Sequence, residues 1–141
     1  MTEKRPSFHT TWKEFSCRDG TDYPDRWRVS RAIPLAREFE RVRAALGDRP
    51  LTILSAYRTP AYNARVPGAA MHSQHVQGRA LDVAPPVGCS VAQLLDAVLS
   101  VAHQDDSALR GVGCYSWGVH IDIRPSDRLM RWSGTKPVQI V

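Results

Sequence analysis

The chain has 141 residues, 43% hydrophobic and 23% charged, which is enough to bury a core and ordinary for a soluble globular domain. A formal charge of +5 suits an anionic partner such as a wall polymer, nucleic acid or membrane surface; the positive residues are spread along the chain among acids without a recognition motif, so no nucleic acid is expected. Three cysteines with no C-x-x-C spacing argue against a disulfide framework and exclude a cysteine-rich zinc knot, and no stretch approaches the roughly 18 apolar residues of a membrane span.

Residues 1–11 carry no apolar run of the signal-peptide kind, so the expectation is a monomer made in the cytoplasm and exported, if at all, by another route. Residues 12–30 read as turn-rich, broken at Asp19-Gly20 and at Pro24. Leu35, Phe39, Val42 and Leu46 then fall at helical spacing, which predicts a helix over 33–46 ended by Gly47. Residues 51–56 form a short apolar strand, and Thr59-Pro60 opens a helical turn. A strand over 79–84 is stopped by Pro85-Pro86. Ser90 caps a second amphipathic helix that buries Val91, Leu94, Leu95, Val98, Leu99 and Val101. Residues 111–115 and 118–124 read as the two strands of a hairpin.

Strand alternation then assigns faces. Val119, Ile121 and Ile123 point into the core while His120, Asp122 and Arg124 point away, and Asp82 shares a face with Ala80 and Ala84 opposite Leu81 and Val83. The expected architecture is a single α+β domain over residues 1–141, with helices on one face of a small, mainly antiparallel sheet and metal-competent side chains on the other. His75 and Asp82 are seven residues apart and His120 comes from a distant segment. Two nitrogens and one oxygen with no further protein ligand describe a catalytic zinc site, whose last position is left to water or substrate.

The company of these residues carries a resemblance. Ser55-Ala56-Tyr57-Arg58-Thr59-Pro60-Ala61-Tyr62-Asn63, the S-x-H-x-x-G-x-A-x-D pattern at 73–82, and Gly111 to Tyr115 leading into Val119-His120-Ile121-Asp122-Ile123-Arg124 resemble the zinc D-alanyl-D-alanine carboxypeptidase family. These are peptidoglycan peptidases related in fold to the Hedgehog signalling domain. Glu14-Phe15-x-Cys17-x-Asp19-Gly20 and Arg131-Trp132 look like its small, phage-associated branch, and the likeness covers about residues 12–133.

The resemblance implies one zinc per chain on His75, Asp82 and His120, and a peptidoglycan peptide as substrate, reached after release or delivery of the protein to the wall. Arg58 matches an arginine that holds the substrate peptide; a salt bridge to an acid such as Asp82 is the competing account. Ser73 matches a serine near the site, and Tyr115 and Trp117 either line the substrate groove or serve the hairpin. Better-known relatives place a general base two or three residues before the last zinc histidine; here those positions are Gly118 and Trp117. That leaves Asp122 either to orient His120 or to act as the base. His72 is a fourth ligand, a base or a solvated loop residue, and His9 and His103 are expected at the surface. The rival reading is a non-catalytic zinc-containing module of the same fold that binds the cell wall or belongs to a phage tail.

Overall fold

In the computed structural model, which describes residues 4–134, five strands form one sheet in the order β1-β2-β4-β3-β5. The strands are β1 (Thr52–Ser55), β2 (Ala80–Ala84), β3 (Gly111–Tyr115), β4 (Gly118–Asp122) and β5 (Met130–Ser133). All neighbours run antiparallel except β3 and β5, which are parallel. Four α-helices accompany them: α1 (Trp12–Phe15), α2 (Ile33–Ala45), α3 (Pro60–Ala64) and α4 (Val91–Ala102).

The two long helices form where the sequence supports them. A reciprocal capping box starts α4: Gln93 N–H donates to Ser90 Oγ at 3.0 Å, and Ser90 N–H to Gln93 Oε1 at 2.8 Å. Its Leu94, Ala97, Val98 and Val101 turn inward and pack with Leu35, Phe39 and Val42 of α2. Leu81 and Val83 of β2, Val112 of β3, and Val119 and Ile121 of β4 meet the same core. Strand alternation therefore sends Asp82, His120 and Asp122 to the opposite face, as expected.

Three features depart from the sequence reading. The turn-rich stretch 12–30 contains α1, opened by a capping box between Thr11 and Glu14. Its later part winds as a 3₁₀ turn (Asp25–Trp27) and a π-helical turn (Arg28–Ala32) that run straight into α2. β4 ends at Asp122 rather than at residue 124, and β5 is an additional strand. β5 lies mostly exposed, so it lacks the alternation that marks a half-buried strand in sequence.

Register, more than any single element, builds the functional face. Asp82 stands directly opposite His120 across β2 and β4, and Ala80 opposite Asp122. Directly opposed residues project their side chains to the same face within contact range. On the other flank, Gly113 opposes His120 and Gly111 opposes Asp122. A Cβ on Gly111 would run into the Asp122 carboxylate, and one on Gly113 into the Trp132 indole. β3 is thus pared back to backbone where two large side chains cross it.

Candidate metal centre

His75 sits in a turn whose backbone is tied on both sides. Ser73 Oγ accepts from His75 N–H at 3.1 Å, while the His75 carbonyl accepts from Arg58 N–H and from Gly78 N–H, both at 3.1 Å. The imidazole is fixed as well. Its Nδ1 lies 2.7 Å from the Ala56 carbonyl oxygen, which can only accept, so Nδ1 carries the proton and Nε2 keeps its lone pair. That Nε2 is buried and has no hydrogen-bond partner, although Asp82 Oδ2 is only 3.1 Å away. A nitrogen so near a carboxylate oxygen yet out of line with it is how two ligands of one cation stand.

His120 completes the group. Its Nδ1 is 3.0 Å from Asp82 Oδ1, and its Nε2 is 2.8 Å from Asp122 Oδ2. The ligand atoms of His75, Asp82 and His120 all lie within 4.8 Å of one another, and all three side chains are fully buried. Two atoms each about 2.0–2.1 Å from a tetrahedral zinc would stand about 3.3 Å apart, close to the 3.1 and 3.0 Å that separate the two histidines from Asp82. The donor set and the unpartnered Nε2 therefore fit a zinc ion.

Electrostatics agree. Burial opposes charge on His120, but its hydrogen bonds to Asp122 and Asp82 outweigh it and push the imidazole up to about 9. His75 goes the other way, lowered chiefly by burial despite Asp82. Burial works against the carboxylate of Asp82, yet the two histidines hold it below the usual carboxylate range. The site is negative enough to keep a proton where a cation would sit.

The remaining expected residues fall into distinct places. Arg58 is 1% exposed and uses all its nitrogens inward: Nε to Ser55 Oγ (3.1 Å), one terminal nitrogen to Asn63 Oδ1 (3.2 Å), the other to Asp82 Oδ2 (3.3 Å). The ion pair with Asp82 expected as one reading of Arg58 is formed. Ser73 is buried beneath the His75 turn. The Tyr115 hydroxyl accepts from Trp132 Nε1 at 2.7 Å, and its ring stacks on Trp117 with centroids 4.9 Å apart. His72 is exposed and lies outside the His–Asp–His group. His9 bonds Glu40, and His103 bonds the Leu99 carbonyl. All three cysteines are free thiols.

Asp122 is saturated. Its Oδ1 accepts from Arg124 N–H (3.1 Å) and Nε (2.9 Å), and its Oδ2 from His120 Nε2 (2.8 Å) and the Arg124 terminal nitrogen (2.7 Å). A carboxylate offers about four acceptor sites, so none is left over. Burial opposes its charge, but Arg124 and His120 hold it well below the usual carboxylate range.

Two residues near the group escaped the sequence reading. Arg124, on the face of His120, clamps Asp122 and lies 5.1 Å from the Trp132 ring. Trp132 packs 5.4 Å from the His120 ring. Its place depends on the parallel β3–β5 register that sets it beside Gly113.

The sequence model of the family described as Peptidase M15 matches residues 8–122, which takes in every residue of the His–Asp–His group and Asp122. The chain belongs to the peptidase M15 family. This is the zinc D-alanyl-D-alanine carboxypeptidase-like family, so the M15 assignment and the buried group point to the same metal. No curated protein matches the chain. The M15 match stops short of Arg124 and Trp132, whose positions rest on the structure alone. Among the described residues, no helix is long and apolar enough to cross a membrane.

Proposed function

We propose that this M15 domain hydrolyses an amide bond in the peptide part of peptidoglycan, using one zinc ion held by His75, Asp82 and His120. The observation that carries this reading is the buried, unpartnered Nε2 of His75 facing Asp82 Oδ2 at 3.1 Å, inside a family of zinc peptidases. When bound there, zinc would polarise a peptide carbonyl and lower the pKa of a water toward about 7.

The chain's own residues prepare that chemistry. The Ala56 carbonyl selects the His75 tautomer that leaves Nε2 free. Asp122, clamped by Arg124, does the same for His120, keeping a proton on Nε2 so that Nδ1 faces the ion. Arg58 fixes the carboxylate plane of Asp82 from behind, which makes it a positioning residue in this reading rather than a direct hold on the peptide. Trp132, Tyr115 and Trp117 form an aromatic side to the group, against which a peptide would lie.

A second reading is supported by one observation. Trp117 and Gly118 supply no acid, and Asp122 has no acceptor site to spare, so a module that keeps the metal but only binds the wall is the competing function. Turnover of purified muropeptides, abolished by chelator and restored by zinc, is expected if the domain is an enzyme. Stoichiometric zinc without turnover on any muropeptide would transfer the assignment to the binding module.

A further inference from the structure

Arginines that look dispersed in the sequence gather on one surface. Arg26 and Arg31 both rest on the indole of Trp27, with guanidinium carbons 4.6 and 4.0 Å from the ring centroid. They cannot be farther apart than those two distances laid end to end. Arg31 also donates to the Gln77 carbonyl at 2.7 Å, in the turn that carries His75. Arg79 directly follows Gly78, where an added Cβ would meet Trp27 Cε3 at 2.8 Å, so its backbone stands beside the same indole; in keeping with that, its charge is among those that lower the Arg31 pKa.

Like charges placed together repel, and at an exposed surface water and salt take up much of that repulsion. Neighbouring Arg28 has its acid, Asp25, at 3.3 Å. Among the described residues, no carboxylate comes within ion-pair distance of Arg26, Arg31 or Arg79. The indole faces offset part of the repulsion by cation–π attraction. With no carboxylate beside them, the guanidinium edges not used within the chain are open to an external anion.

We propose that Arg26, Arg31 and Arg79 form a docking surface for a phosphodiester polymer of the bacterial wall, held beside the turn that carries His75. Three guanidinium groups on one small surface suit a flexible chain with a single negative charge on each repeat, and each planar fork matches two phosphate oxygens. Trp27 is already flanked by Arg26, Arg31, Tyr57 (centroids 6.1 Å apart) and Gly78, where a Cβ would meet its Cε3 at 2.8 Å. The ring has little face left for stacking a base, which separates this surface from single-strand nucleic-acid sites built on open aromatics. A polymer bound here would keep the domain on the wall next to its proposed substrate.

Only the choice of polymer rests on the function proposed above. The test is co-sedimentation of the zinc-loaded full chain with purified walls, before and after acid stripping of their phosphodiester polymers. Wild type should bind intact walls and release with rising salt, and stripping should weaken binding about tenfold, the scale expected of a few surface ion contacts. Arg26→Gln/Arg79→Gln should match that loss on intact walls, and Arg26→Lys/Arg79→Lys should recover only the part carried by charge, binding between the Gln variant and wild type; Arg31 is left in place because it also holds Gln77. Zinc content and turnover of small soluble muropeptides should stay as in wild type. Binding unaffected by stripping, or a Gln variant that binds like wild type, overturns the proposal, as does loss of zinc in that variant. Wall binding that responds as described, without any muropeptide turnover, leaves this surface standing and removes the peptidase reading instead.

Discussion

Replacing Asp122 by Asn changes one atom's chemistry at the point where two roles diverge. In the native site, the carboxylate accepts four hydrogen bonds, three from Arg124 and one from His120 Nε2. The amide keeps one acceptor oxygen and turns its other end into a donor, so it cannot satisfy the Arg124 fork and His120 together. His120 loses part of what keeps its proton on Nε2, and with that the preference for presenting Nδ1 to Asp82 and a metal. Loss of such an orienting partner costs about 10–100-fold in metal affinity, or about 1.4–2.7 kcal/mol. Zinc affinity of the variant, measured by competition with a chromogenic chelator, should fall by that factor, and turnover should return at saturating zinc. A variant that binds zinc like wild type but turns over roughly 10²–10⁴-fold more slowly, with the acid limb of its pH profile gone, would refute this reasoning and make Asp122 the general base.

Arg58→Lys replaces a three-way fork by a point charge, so melting temperature and zinc retention should both drop, by about 1–3 kcal/mol in stability; a raised KM at unchanged stability would instead restore Arg58 as a substrate anchor. In metal-free protein, His120 titrates near 9 against an ordinary 6.5, so its contribution is complete below about 6.5 and lost as pH rises through about 9. Stability of the chelated protein should therefore decline over that window by up to about 3 kcal/mol, while zinc affinity climbs because the ion displaces a proton; flat profiles would contradict the His120 geometry. Gly113→Ala drives a methyl into the Trp132 indole and should cost about 1–3 kcal/mol with a shift in tryptophan fluorescence, whereas an unperturbed spectrum would mean β5 does not hold Trp132 there.

Much of the site was legible because its residues are short-range patterns. Alternation in β2 and β4 was enough to put Asp82 and His120 on one face, and Ser90 with helical spacing defined α4. What escaped depends on pairing between distant segments. β5 has three exposed residues out of four and finds its place only by running parallel to β3, so Trp132 gave no sequence signal of its position. α1 is a single turn whose one clue was Thr11 followed three residues later by Glu14, a capping box placed among stronger breakers. Arg58 carried two readings in sequence because a guanidinium suits a peptide carboxylate as well as an aspartate. The fold brought Asp82 to it.

Carrying two of the three proposed ligands on paired strands ties metal retention to a folding decision. Asp82 meets His120 only in the register where Ala80 also meets Asp122. A slip of one residue would turn Asp82 toward the helices and bring Leu81 out in its place, since every side chain on a slipped strand changes face. Such a chain could keep its helices, but it would lose the burial of Leu81 and Val83 together with the cation site. The ion would then act as a proofreader of strand pairing, released by misthreaded molecules and kept by correct ones. Zinc retained through dialysis would count the correctly threaded fraction of a refolded sample.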